Sequence, residues 1–194
     1  MKPVKITTPL LDKDIKKLKA GQEVLISGYL YTARDAAHKR IVELISKKKK
    51  LPLNLRDNII YYCGPNPAPP GEVIGSAGPT TSSRMDSFTP CLLKAGLKAM
   101  IGKGKRSEET RQAIKKYKAV YFIALAGGGA FLSQRIKAVR PIAFAGLGTE
   151  AIYEFQVKDF PLIVGIDSKG NDIYTQPVLI PQKQNGHYVP KRAR

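Results

Sequence analysis

Apolar positions along this chain recur at two spacings, and the switches between them mark out its elements. Between Glu23 and Thr32, the β-favouring Val24, Ile26, Tyr29 and Tyr31 predict a strand whose alternation slips at Gly28, as at a bulge. Before it, Ile15 and Leu18 share one face of a short helical stretch over 12–20 that Gly21 stops. After it, Ala37, Ile41, Leu44, Ile45 and Lys48 lie along the inner stripe or edge of a helix running to about Lys48, with Asp35 suited to cap it. Residues 58–63 predict a short apolar strand. Residues 64–71, with four prolines, form a loop that no central strand accepts. The sheet is expected to resume at 73–76 and to close at Gly78-Pro79 against a helix start. Alternation then predicts a strand at 99–102, a helix at 107–118, a buried strand at 119–126, and a helix from the glycines at 127–129 through about Val139. Asp167 to Asn171 reads as a turn between strands at 162–166 and 173–174.

This order predicts one α/β domain over residues 1–194, with a mixed sheet and flanking helices. The polar, basic tail from about 182 is expected to be loosely ordered. A hydrophobic content of 43% fits a folded chain. No apolar run approaches the roughly 20 residues that span a bilayer. The N-terminus has no apolar signal-peptide core behind it, so the chain reads as soluble and cytoplasmic.

Charge narrows the choice of partners. Lys and Arg number 33 against 15 Asp and Glu, giving +18 and favouring an anionic substrate or an acidic partner chain. A basic nucleic-acid-binding protein is the reading from a different class. Against it, Trp is absent, and the densest basic run, Lys47 to Lys50, follows a helix with no aromatic residue interleaved. Cys63 and Cys91 are the only thiols, too few for the three- or four-thiolate cage of an iron–sulfur cluster, and read as reduced cytosolic thiols. His38 and His187 are too far apart in the chain to suggest a zinc site.

Three clusters carry candidate chemistry. In Gly78-Pro79-Thr80-Thr81-Ser82-Ser83-Arg84-Met85-Asp86, four hydroxyls surround a predicted helix N-terminus, and Arg84 lies one turn after Thr80. This is either an anion site or a helix cap with spare hydroxyls facing water. Around Thr32 to Arg40, Arg34 occupies a strand-to-helix junction; Asp35 is a helix cap or a catalytic carboxylate, and His38 a hydrogen-bonded core imidazole or an acid–base group. In Gly102-Lys103-Gly104-Lys105-Arg106, Lys103 between two glycines presents an ammonium from a strand end, although the frame of a phosphate loop is missing. The glycines at 127–129 lack the frame of a dinucleotide site, because Leu132 stands where the third glycine is needed; strand–helix packing explains them more simply. Arg34, Thr80, Arg84 and Lys103 together have the charges for two carboxylates and a hydroxyl for proton transfer. They lack a strong base or a metal.

These motifs, in this order from Leu25-Ile26-Ser27-Gly28 to Asp159-Phe160-Pro161, resemble the β subunit of two-subunit class I fumarate hydratases, equivalent to the C-terminal domain of the single-chain enzymes. One departure is Ala33, where a glycine is more usual. The resemblance implies a swivelling β/β/α-type domain and the reversible hydration of fumarate to (S)-malate, a tricarboxylic acid cycle reaction. It implies a [4Fe–4S] cluster bound by a partner α subunit rather than by this chain, hence a hetero-oligomer. By the same resemblance, Arg34, Thr81, Arg84 and Lys103 bind substrate, and Thr80 binds substrate and exchanges the carbon-bound proton. Asp35 and His38 remain catalytic candidates. The L-tartrate dehydratase β subunit shares these motifs. The tract Tyr61-Tyr62-Cys63-Gly64-Pro65 and the Pro-rich loop after it look more like the fumarate branch.

Overall fold

The computed structural model describes residues 2–124, 127–175, 179–184 and 187–192. In chain order the strands and helices are β1 (Val4–Thr7), α1 (Asp12–Ile15), β2 (Glu23–Thr32), α2 (Asp35–Ser46), β3 (Ile59–Tyr61), α3 (Thr89–Lys94), β4 (Ala99–Gly102), α4 (Glu108–Tyr117), β5 (Val120–Ile123), α5 (Gly129–Ser133), β6 (Ile136–Ala143), β7 (Ile152–Ile166), β8 (Leu179–Gln184) and β9 (His187–Arg192). Two 3₁₀ segments, Ser82–Met85 and Ala145–Glu150, complete the set.

Strands β2, β3, β4 and β5 run parallel, and β7 is antiparallel to both β5 and β2, so five strands close into a barrel. Closure depends on two long strands. β2 carries β1 beside its first half and β3 beside its second. β7 serves β6 with its first half and β5 with its last residues, while β2 lies along its other edge. Register slips between Ile26 and Gly28, at the bulge the alternation predicted. Gly28 has φ +113°, and the Thr8 hydroxyl occupies the space a Cβ would need; that hydroxyl accepts from Tyr29 N at 2.6 Å.

Strands β3 to β5 are apolar on both faces because both are covered. Ile59, Tyr61, Ile101 and Phe122 join the cluster inside the barrel, while Ile60, Tyr62, Met100 and Tyr121 pack outward beneath α2, α3 and α4. Helix α4 has the predicted ends: the Ser107 side chain accepts from Thr110 N, and Lys118 closes it in the left-handed conformation.

Several expectations are corrected. Residues 73–76 form no strand; Asn66 N donates to Ser76 O and Gly75 N to Asn66 O, so the Pro-rich loop closes on itself. Residues 136–139 belong to β6 rather than to a helix, because β7 offers an open edge to pair with. The helix after the glycines, α5, is correspondingly short. Helix α1 stops at Ile15, and Ile173 and Tyr174 form a turn rather than a strand. Asp35 is not the cap of α2: Arg34 occupies that position, and Asp35 is the first helical residue. The helix start expected after Pro79 is a single 3₁₀ turn with no side-chain cap. β8 and β9 pair antiparallel; of the tail from about 182, residues 185–186 and 193–194 lie outside the described residues.

Candidate functional site

Because β2 to β5 are parallel, their C-terminal ends share one end of the barrel, where α/β sheets place ligands. Backbone hydrogen bonds join the loops leaving those ends side by side. Ala33 N donates to Tyr61 O at 3.1 Å, Thr80 N to Tyr62 O at 2.6 Å, and Ser82 N to Lys103 O at 3.0 Å, with Thr81 and Lys103 forming a parallel bridge. Ala77 N donates to Gly129 O, and a Cβ on Gly129 would strike the Ser76 hydroxyl and the Gly78 backbone. The glycines after β5 therefore serve this loop cluster, a closer role than general strand–helix packing.

The fold thus brings Arg34, Thr80, Thr81, Arg84 and Lys103 to one rim. Thr80 and Lys103 are half-buried; Thr81 and Arg84 are exposed. Arg84 Nε donates to Asp35 Oδ1 at 2.9 Å, which leaves its two terminal nitrogens unengaged by that bond. Asp35 Oδ2 lies 4.0 Å from Arg34 Nε, and Arg34 Nη2 lies 3.3 Å from Glu150 Oε1. Glu150 also accepts from Ala36 N at 3.0 Å, so its carboxylate fills the anion position at the start of α2. The rim is a chain of alternating charge, Arg84–Asp35–Arg34–Glu150, with Lys103 beside it, three cations against two anions. Arg34 Nε and Asp35 Oδ2 are buried and lack hydrogen-bond partners. Arg34 also lies against Gly64, where a Cβ would sit 3.0 Å from its Cδ.

His38 does not reach the rim. It is fully buried, edge-on to Tyr62 with ring centroids 5.3 Å apart, and its Nδ1 is 2.9 Å from the Arg34 carbonyl. A carbonyl only accepts, so Nδ1 carries the proton. Burial lowers the imidazole pKa to about 4; the nearby Arg106 charge adds to this, and the bond to Arg34 opposes it. The ring is therefore neutral at pH 7 and supports the arginine from below.

The unfolded chain takes up this proton near pH 6.5 and the folded chain only near pH 4. The group's contribution is complete above pH 6.5 and is lost progressively as pH falls towards 4, by at most about 3 kcal/mol. Urea melts from pH 7.5 to 4 are expected to show this decline, and His38→Asn to flatten it; an equally steep decline in the variant would refute the assignment.

Glu150 and Tyr121 carry no local signal in the sequence, and Tyr62 and Arg106, though they lie in noted motifs, have no role assigned there. Arg106 is buried, paired to Asp86 at 2.6 Å and bonded to the Thr89 hydroxyl at 2.8 Å. A basic residue directly after Gly-Lys-Gly-Lys reads as solvated charge, and no local spacing marks it as core.

The thiols do not fit an iron–sulfur cluster. Cys63 is buried, with burial pushing its thiol up to about 12, and Cys91 is half-buried on α3; both are free. Among the described residues, no group of three or more His, Cys, Asp or Glu side chains can hold a metal ion. No described helix is long and apolar enough to cross a membrane.

The family described as Fumarase C-terminus matches residues 1–177. The chain is 40% identical over 173 residues to the putative L(+)-tartrate dehydratase subunit beta of Methanocaldococcus jannaschii, covering 86% of this chain and 89% of that protein. It is 40% identical over 155 residues to the anaerobic class I fumarate hydratase of Escherichia coli, covering 79% of this chain and 28% of that protein. It is 37% identical over 166 residues to fumarate hydratase 2 of Leishmania major, covering 84% of this chain and 29% of that protein. The chain thus spans nearly all of the first relative and under a third of the other two.

Proposed function

The chain belongs to the fumarase C-terminus family, and on that premise we propose that it is the β subunit of a hydro-lyase interconverting fumarate and (S)-malate. One observation carries this reading. The loops bearing Arg34, Thr80 to Arg84, and Lys103 meet at one barrel end, the first two through bonds to Tyr61 and Tyr62 and the last two directly. They offer a cationic rim whose charge complements a small dianion.

In this reading, Arg84 grips one substrate carboxylate through the terminal nitrogens that Asp35 leaves open, while Asp35 fixes the guanidinium through Nε. Arg34, held by Glu150, and Lys103 neutralise the second carboxylate. Thr81 orients the substrate beside Lys103. The Thr80 hydroxyl exchanges the proton at the carbon next to the hydroxylated one. A threonine is a weak base without activation, so a partner group must raise its reactivity. Asp35 and His38 act as supports: one holds two arginines, and the other braces the Arg34 carbonyl. The iron–sulfur cluster that the family resemblance implies is assigned to a partner α subunit, since the donors of this chain do not fit it. The complex is a hetero-oligomer in the cytoplasm.

The near-full-length match to a tartrate dehydratase subunit favours a second reading, dehydration of L-tartrate on the same rim. Parallel assays of the assembled complex with malate, L-tartrate and methyl-substituted malates separate the two. Malate is expected to give the highest kcat/KM. A higher value for tartrate transfers the assignment, and no turnover of either removes it.

A further inference from the structure

A phenol that the proposed reaction does not use lies beneath the rim. Tyr121 of β5 is fully buried between the barrel and its helices. Its hydroxyl lies 2.9 Å from Ser82 Oγ and donates to the Gly104 carbonyl at 2.9 Å. A phenol has one proton and a carbonyl only accepts, so Ser82 must donate to the phenol oxygen. The chain of bonds runs from the Thr80–Arg84 loop through Tyr121 into the loop after β4. Burial raises the Tyr121 pKa, which keeps the proton in place at neutral pH. From below, the Arg106 guanidinium lies 4.9 Å from the centroid of this ring and 5.3 Å from that of Tyr62.

Lys103 sits between Gly102 and Gly104, and Gly104 has φ +83°, so the local backbone has wide conformational freedom. Gly102 is required for another reason: a Cβ there would strike the Ser82 hydroxyl, so only glycine leaves Ser82 room beside the strand end. Apart from this chain of bonds, the two loops are tied beside Lys103 by the Ser82 N to Lys103 O bond and the Thr81–Lys103 bridge, and further along by Asp86, which accepts from Arg106 Nε at 2.6 Å and from Ser107 N at 2.7 Å.

We propose that Tyr121 is a positioning residue, whose hydroxyl clasps the Ser82 and Gly104 loops together and so fixes Lys103 relative to Thr80 and Thr81. The inference rests on the reading that these residues hold the substrate. Tyr121→Phe keeps the ring, its packing and its contact with Arg106, and removes the clasp alone. Ser82→Ala breaks the same chain from the other loop.

Both variants, and the double variant, are to be compared with the parent in the assembled complex. Each single variant is expected to assemble normally, with KM for malate raised about fivefold, the worth of one hydrogen bond. The double variant is expected to lose little more than either single one, because one bridge is cut twice. Hydrogen exchange is expected to accelerate in the peptides covering 80–86 and 102–106 and to remain unchanged in α4. A merely structural role would lower the folded fraction and leave KM untouched. Unchanged KM, or unchanged exchange in both peptides, overturns the clasp. If the parent complex turns over neither malate nor tartrate, the reaction assignment fails, and the exchange result alone decides the clasp.

Discussion

The purified chain, free of iron, is expected to turn over neither fumarate nor malate, and activity is expected to appear only when a cluster-bearing partner is added. Hydration needs a group to take or give a carbon-bound proton and a group to polarise the carbon–oxygen bond. The rim supplies cations and hydroxyls. Its carboxylates, Asp35 and Glu150, are engaged with Arg34 and Arg84. His38 is buried below the rim, with Nδ1 committed to the Arg34 carbonyl. Among the described residues no group suits a metal ion. On the proposed reading, this chain binds the substrate and exchanges its proton, and the carbon–oxygen bond is polarised by a group the partner holds. Titrating the partner into the chain while following fumarate absorbance checks this; turnover by the iron-free chain alone would sink it.

Arg84→Ala is expected to leave the fold and assembly intact and to lower kcat/KM of the complex roughly 100-fold or more, the scale of charged hydrogen bonds lost from a bound dianion. Arg84 is half exposed at the side chain, and its pair with Asp35 contributes at most about 1 kcal/mol to stability. The melting temperature should therefore hardly move while the kinetics collapse. Arg84→Lys keeps the charge without the planar fork and is expected to recover only part of the loss. Wild-type kinetics for Arg84→Ala would remove this residue from the site. An equal loss of melting temperature would reassign it to structure.

Much of the candidate site was legible because its residues sit where local chemistry is distinctive. Arg34 stands at the junction of a β-patterned segment and a helical one, both of which the structure contains. Lys103 follows a short apolar strand, and its flanking glycines announce an unusual backbone. The hydroxyl-rich segment stands out in the sequence as a candidate anion site, and the helix start expected there is a single 3₁₀ turn. Pro79 and the hydroxyls suit an α-helix, but Thr80 N and Ser82 N are already bonded to Tyr62 and Lys103, leaving room for only one 3₁₀ turn. The same competition explains residues 136–139, whose apolar spacing suits a helix until β7 is present to pair with them.

Local periods, strands and helices with clear ends, and the identity of the charged and hydroxyl residues that gather at the rim are written in the sequence alone. These rest on forces between residues a few positions apart. Tertiary structure decided which loops meet and what holds them. Glu150 reaches the start of α2 across 114 residues of chain, and Tyr121 reaches Ser82 across 39. Barrel closure through β7 sets those distances. No local pattern records them, because a hydrogen bond depends on where two groups stand in space.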